Sequence, residues 1–292
     1  MILVTGATGQ AGAEVVRAAR ARGERVRALV RDPEQAAQKL GDGIELAAGD
    51  FADPRSVRAA LEGVDDVVLS CADDPRRVAW ETSAIDAAAA AGVRRIVKLS
   101  AVGAAPESPV AFWDWHDRVE RHLLASGVPG VILRSSFYMT NVLAAAEQVA
   151  GEGRLYAPAA GARIAMIDPR DVGAAAAAVL STPGHDGRMY VLTGPAAITY
   201  AQVADELSAA TGRTVEFIDV PDEAAKQGLI QAGLPGVVAE QVVKVFAMAR
   251  QGVAEQVTAT VRSLTGSPPR DFASFARDHA RLFAPAAVGA GR

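Results

Sequence analysis

The chain has 292 residues, 50% of them hydrophobic and 22% charged, with a net charge of −4 from 30 basic and 34 acidic side chains. That composition excludes a disordered chain, which cannot bury enough apolar surface to offset its ordering entropy. The slight acidity offers no basic field for bulk attraction to nucleic acid. Cys71 is the only cysteine, so no intrachain disulfide forms, and a cytoplasmic location is expected. No basic leader with an apolar run precedes the first strand, so no secretory signal is expected. The longest alanine-rich stretch, residues 173–180, is too short to span a bilayer.

Short apolar runs alternate with amphipathic stretches through the first half. Residues 2–4, 26–30, 44–47, 67–69, 96–99 and 131–133 read as strands buried on both faces, and 11–22, 33–40, 54–62, 76–91 and 111–126 as helices. Strict alternation predicts an α/β fold, a doubly wound Rossmann parallel sheet with helices on both faces. Asp32-Pro33 and Asp53-Pro54 each place an N-cap acceptor before a proline at the first helical position. Further on, helices are expected at 169–180 and 200–211, strands at 189–192 and 215–220, and mainly helix from 221 to 283. The domains expected are a cofactor-binding Rossmann domain over 1–150 and a smaller α+β substrate lobe over 151–292. That lobe should lie over the carboxyl ends of the strands and return some strands to the main sheet. Residues 285–292 read as a mobile tail.

The strongest local signal is Gly6-Ala7-Thr8-Gly9-Gln10-Ala11-Gly12, between the first strand and the first helix. Gly6 suits a tight turn, Gly9 a close backbone approach to a pyrophosphate, and Gly12 close packing of helix on sheet. A side chain at Gly9 should block the phosphates and strain a positive φ. Arg31 ends the second strand, where an acid would bind a ribose 2′-hydroxyl and an arginine suits a 2′-phosphate. Asp32 reads as a helix cap, so NADPH is expected over NADH. Asp50 and Phe51, after the third strand, either flank the adenine or only shape a turn. Cys71 completes the set of expected cofactor contacts.

These pieces resemble the NmrA-like family of atypical short-chain dehydrogenase/reductases. The resemblance is carried by the glycine loop, Gly49-Asp50, Lys98-Leu99-Ser100, His116 with Glu120, and Ser126-Gly127-Val128-Pro129. It continues through Leu133-Arg134, Phe137-Tyr138-Met139-Thr140-Asn141, Asp168-Pro169-Arg170-Asp171-Val172 and Leu192-Thr193-Gly194-Pro195. It implies a Rossmann domain binding NADP or NAD and a small substrate lobe. The activities implied are quinone reduction, related biosynthetic reductions, or cofactor sensing without turnover.

Standard short-chain reductases pair a tyrosine with a lysine four residues on. Tyr138, Tyr156, Tyr190 and Tyr200 are followed at that spacing by Val142, Ala160, Gly194 and Ala204, so the dyad is absent. The expected catalytic set is Ser100, at the end of the fifth strand, with His116 and Glu120 on the next helix. His116 and Glu120 share a helix face. A carboxylate beside an imidazole raises its pKa, so the pair reads either as a general acid or as a helix-surface ion pair.

Trp113, Phe137 and Tyr138 are candidate walls of an aromatic pocket, with core packing the other reading for Phe137. Asn141 either hydrogen-bonds a carbonyl or caps the following helix. No His/Cys cluster has metal-ligand spacing. The expected function is NADPH-dependent hydride transfer to a quinone or other flat conjugated carbonyl. A non-catalytic NADP sensor and a ketone or imine reductase using His116 stand as alternatives. The partner expected is an aromatic or quinone-like small molecule, with no nucleic acid and no membrane; a homodimer stays open.

Overall fold

The computed structural model describes residues 1–285. The elements run β1 (Ile2–Val4), α1 (Gln10–Ala21), β2 (Val26–Val30), α2 (Pro33–Leu40), β3 (Glu45–Ala48) and α3 (Pro54–Ala60). Then come β4 (Asp66–Leu69), α4 (Arg77–Ala90), β5 (Arg95–Ala101), α5 (Ala111–Ala125) and β6 (Gly130–Ser135). A 3-10 helix (Met139–Ala145) leads into α6 (Ala146–Glu152), β7 (Arg154–Ala157), α7 (Pro169–Ser181) and β8 (Met189–Leu192). The chain continues through α8 (Tyr200–Thr211), β9 (Glu216–Asp219), α9 (Asp222–Gln231), α10 (Gly236–Arg250), α11 (Thr260–Thr265) and α12 (Phe272–Phe283).

Contacts divide the chain into two units. One comprises residues 1–135, 169–192 and 258–268; the other comprises 136–168, 193–257 and the chain from 269 onward. The first unit holds a seven-stranded sheet in the order β3-β2-β1-β4-β5-β6-β8, with every pair parallel. The order reverses between β1 and β4, and ligands of such sheets bind beyond the carboxyl ends of strands at that point. Leu3, Val67, Leu69, Ile96 and Ile132 point to one face and pack on Val57, Ile85, Val119 and Leu123 of α3, α4 and α5. On the other face α1 packs against α7. No described helix is long and apolar enough to cross a membrane.

The second unit has its own core, with Tyr200, Phe246, Phe272, Phe275 and Phe283 around Leu155 and Met166. Its two-stranded parallel sheet pairs β7 with β9, from Arg154 opposite Glu216 to Ala157 opposite Asp219. Beyond a helix expected after Asn141, the sequence pattern sets no bounds for the 3-10 helix and α6, and it does not anticipate β7. These pieces are short, and β7 has an exposed charged first residue, so no period develops. Of the tail expected at 285–292, residues 286–292 lie outside the described ones.

Gly173 sets how closely α1 and α7 approach. A Cβ there would lie 2.5 Å from the Glu14 carbonyl carbon and oxygen. Gly173→Ala should therefore force the two helices apart and cost about 1–3 kcal/mol, the usual range for overpacking. The cost reads out as a lower urea midpoint at unchanged m-value; an unshifted midpoint would show that the helices separate freely.

Candidate active site at the carboxyl ends of the sheet

The glycine loop turns directly out of β1. Gly6 adopts the left-handed φ of +59°, and a Cβ there would lie 2.8 Å from the Ser70 carbonyl oxygen. Thr5 locks the turn to the end of β4: its Oγ1 donates to Ser70 O at 2.8 Å and accepts from Ser70 N–H at 2.9 Å. Gly9 is extended at φ −74°, so the strained backbone lies at Gly6 and not at Gly9 as the motif suggests. Gly12 also acts differently from expectation. A Cβ there would stand 2.2 Å from Gly6 O, so the loop folds onto its own helix and needs the missing side chain for that.

Gly9 is the N-cap of α1. It offers no side-chain cap, and no acid stands in the first turn, which opens with Gln10, Ala11 and Gly12. Such a terminus presents N–H groups and the positive dipole end to an anion. Beside it, Thr8, Val30, Arg31, Asp32 and Gln35 line a cleft of about 260 Å³. Asp32 caps α2 by accepting the Gln35 N–H at 3.0 Å, while Arg31 is exposed and has no ion-pair partner among the described residues. Loop, helix start and free guanidinium together fit a dinucleotide carrying a 2′-phosphate.

Asp50 and Phe51 follow β3. The Asp50 carboxylate accepts the Ala52 N–H at 2.8 Å, which is turn chemistry. Phe51 stacks on Trp80 with centroids 6.4 Å apart and planes 13° from parallel, and the Arg76 guanidinium lies 4.4 Å from the Trp80 ring centre. Cys71 follows β4, half-buried. Burial, then the Glu81 charge, push its thiol up to about 11, so it is no reactive thiolate.

Strand alternation builds the polar part of the site. Along one face of β5 the side chains run Ile96, Lys98, Ser100, and the register sets Lys98 beside Ile132 and Ser100 beside Arg134. The interior on this face therefore changes from apolar to charged toward the carboxyl ends. The helices change in step. Ile85 on α4 and Val119 and Leu123 on α5 give way to Arg77, Glu81, His116 and Glu120 one or two turns earlier.

Two buried carboxylates organise this cluster. Glu81 accepts from Lys98 Nζ at 2.8 Å and from Arg77 Nε at 3.0 Å, and Arg77 reaches on to Asp73 at 2.7 Å. Lys98 also donates to Leu99 O at 2.8 Å. Burial pulls its ammonium down to about 8, with the Glu81 charge opposing. Burial alone would raise Glu81, but the charges of Arg77 and Lys98 together hold it below the usual carboxylate range. Glu120 accepts a short hydrogen bond from the Ser100 hydroxyl. It also accepts Arg134 Nε at 3.0 Å and 3.2 Å and Arg134 Nη2 at 2.5 Å.

This arrangement corrects the expectation for His116. Glu120 is spent on Ser100 and Arg134, and the buried His116 Nδ1 has no hydrogen-bond partner. Burial, then the charges of Arg77, Lys98 and Arg134, push its pKa well below the ordinary 6.5, opposite to the rise expected from a carboxylate neighbour. His116 is therefore a neutral imidazole and not an imidazolium acid. Arg77, Glu81 and Arg134 are the members that the sequence pattern missed. The Arg77–Glu81 spacing of four on one helix was the available signal.

The aromatic candidates separate. Trp113 is buried, with its ring against Gly103, where a Cβ would lie 2.8 Å from the ring atoms. Phe137, Tyr138 and Asn141 belong to the second unit. Phe137 packs 5.8 Å from Phe246 in that core, which favours its packing role. Tyr138 is half-buried and bridges to Ile167. Asn141 lies inside the 3-10 helix and does not cap the next helix, whose N-cap position is Ala145. The other histidines make local bonds: His122 to Asp86 at 2.7 Å, His185 to Thr182 and Tyr190 at 2.8 Å each, and His279 to Phe275 O at 2.9 Å.

The depressed His116 pKa predicts acid sensitivity. Between its folded value and 6.5 the unfolded chain binds more protons than the native one. His116 thus leaves stability intact above about pH 6.5 and removes up to about 1.4 kcal/mol per pH unit below it. Glu81 begins to contribute only below its ordinary value of 4.5. Urea melts from pH 7.5 to 5 should show this slope in the wild type and a flatter one in His116→Asn; equal slopes would mean the imidazole titrates alike in the native and unfolded states.

A family model described as the NmrA-like family matches residues 1–268. The chain is 38% identical over 286 residues to an NAD(P)H azoreductase of Xenophilus azovorans, covering 98% of this chain and 100% of that one. It is 39% identical over 286 residues to a (4-alkanoyl-5-oxo-2,5-dihydrofuran-3-yl)methyl phosphate reductase of Streptomyces griseus, again covering 98% and 100%. Among solved structures it superposes on the NADPH-dependent quinone oxidoreductase QOR2 of Escherichia coli, complexed with NADPH. The TM-score is 0.86 at 31% identity, over 95% of this chain and 99% of that one. With its glycine loop, parallel sheet and full-length likeness, the chain belongs to the NmrA-like family.

Proposed function

We propose that this protein, an NAD(P)H-dependent oxidoreductase, reduces a quinone or another flat conjugated acceptor at the expense of NADPH. The observation that carries the choice of acceptor is the lack of a poised acid in the polar cluster. The Tyr/Lys dyad is missing and His116 is neutral. The Ser100 proton is held by Glu120, and Lys98 is fully buried on Glu81 and Leu99 O. An isolated ketone needs a proton as hydride arrives, and a positioned acid typically supplies about 10²–10⁴-fold in rate. A conjugated acceptor spreads the incoming charge, so positioning suffices. The named acceptors of the relatives, azo, unsaturated lactone and quinone, share that property.

In this reading the Gly6–Gly12 loop and the start of α1 hold the pyrophosphate, and Arg31 holds the 2′-phosphate. When bound, NADPH supplies the hydride. Ser100, His116 and Trp113 shape the end of the site nearest β5, and water supplies the proton that completes reduction. The conjugated ring itself is placed by packing, which is where Trp113 contributes.

Two experiments test this. Anaerobic NADPH oxidation should proceed with a naphthoquinone and an azo dye, at a rate independent of pH between 6 and 8, and should fail with cyclohexanone. Cofactor binding without oxidation by any acceptor would favour a sensor; turnover of cyclohexanone would reveal an acid. For the cofactor, Arg31→Ala should weaken NADPH binding about 10- to 150-fold, the range for a hydrogen bond to a charged group. NADH binding should stay unchanged. A parallel loss for both cofactors would remove Arg31 from the 2′-phosphate.

A further inference from the structure

Ser100, a member of the catalytic set expected from the sequence, stands next to last on β5, at the carboxyl end of the sheet, where a free serine hydroxyl could donate a hydrogen bond to a substrate carbonyl. Its surroundings oppose that polarity. A serine hydroxyl has one proton and two lone pairs. That proton goes to Glu120, which is 2% exposed and held by three contacts from the Arg134 guanidinium at 2.5–3.2 Å. Hydrogen bonds from a hydroxyl to a carboxylate are short and about twice as strong as neutral ones. Turning the proton toward a ligand would give up that charge-assisted bond and leave Glu120 Oε1 with Arg134 Nε at 3.0 Å as its remaining donor.

The groups around this bond leave no substitute donor for Glu120. Lys98, two residues earlier on the same face of β5, is committed to Glu81 and Leu99 O. Arg77 is committed to Glu81 and Asp73. Asp117 and Asp114 on α5 are engaged with Arg121 at 2.8 Å and the Glu107 N–H at 3.1 Å. His116 Nδ1 is buried and has no hydrogen-bond partner among the described residues. Arg134 and Glu120 thus fix the direction of the Ser100 hydroxyl, with its lone pairs left over.

We infer that Ser100 is a hydrogen-bond acceptor in the site, oriented by Glu120 and Arg134, and that it receives an N–H or O–H of the bound molecules. Two sources carry such a group: the carboxamide of the nicotinamide, and the reduced acceptor, whose oxygen or nitrogen has gained a proton. Glu120 and Arg134 are positioning residues, because they act through Ser100. The assignment rests on the reductase reading for its ligands, and it reverses the role that Ser100 would have in ketone reduction.

The test is a set of dissociation constants, measured by calorimetry on wild type, Ser100→Ala and Glu120→Gln. The first pair of ligands is NADP+ and its 3-acetylpyridine analogue, in which a methyl ketone replaces the carboxamide. The second pair, added to the NADP+ complex, is hydroquinone and 1,4-dimethoxybenzene. Wild type should favour the donor-bearing member of one pair about tenfold, the yield of one hydrogen bond. A preference in the first pair assigns the donor to the cofactor, and one in the second pair assigns it to the reduced acceptor.

Ser100→Ala should abolish the preference. Glu120→Gln should shift it toward the donor-free member, because the new amide N–H can satisfy Oγ and release the hydroxyl proton. Equal affinities within both pairs in wild type, or a preference that survives in Ser100→Ala, would overturn the inference. If Glu120→Gln does not fold, Ser100→Ala decides alone. The constants do not depend on turnover. Preferences that behave as expected in a protein that reduces no acceptor leave this role standing and remove the reductase reading; turnover without the preferences does the reverse.

Discussion

Two carboxylates, Glu81 and Glu120, are almost wholly removed from water beneath α4 and α5, and the polar half of the site hangs on how they are paired. A buried charge survives only with close partners, since its desolvation costs several kcal/mol. Glu81 has a lysine from β5 and an arginine from its own helix; Glu120 has an arginine from β6 and a hydroxyl from β5. Each carboxylate therefore ties a helix to the sheet at a fixed distance. Such pairs add little net stability compared with apolar packing, but removing one partner strands the other, typically at 3–5 kcal/mol. Their contribution here is direction: they determine which way the Ser100 proton points and keep Lys98 from acting as a free base.

Burial first, and then charge balance, explain the state of His116. Arg77, Lys98 and Arg134 are offset by Asp73, Glu81 and Glu120 within the same network. A protonated imidazole would add a positive charge with no counterpart, next to three cations already present. A carboxylate four residues away on the same helix face does not rescue it, because hydrogen bonds are satisfied by contact and not by sequence distance. The polar cluster therefore holds no ready acid.

The cofactor end works on a different constraint, steric closeness of backbone to backbone. Gly6 and Gly12 are needed because carbonyl oxygens occupy the space that their side chains would take. Thr5 then pins the turn to Ser70 across the point where strand order reverses. The helix behind it is left without a side-chain cap at Gly9. The shape of this loop follows from local chain geometry, which is why a short motif reports it.

The sequence by itself determined the layers and the phosphate loop. Strand and helix periods and Asp-Pro helix starts are local signals, and α2, α8 and β8 stand at the residues where those signals put them. It also determined that no Tyr/Lys dyad exists and that Asp32 is a cap, since both are matters of spacing along one element. Tertiary structure alone decided who pairs with whom. Spacing offered Glu120 to His116; register brought Ser100 and Arg134 side by side on adjacent strands, and the two of them took the carboxylate instead. Likewise Lys98 drew Glu81 from a helix 17 residues earlier. The physical reason is that a buried charge goes to whichever partner reaches it with the best geometry, and that partner is set by strand order and helix packing, which no local pattern encodes.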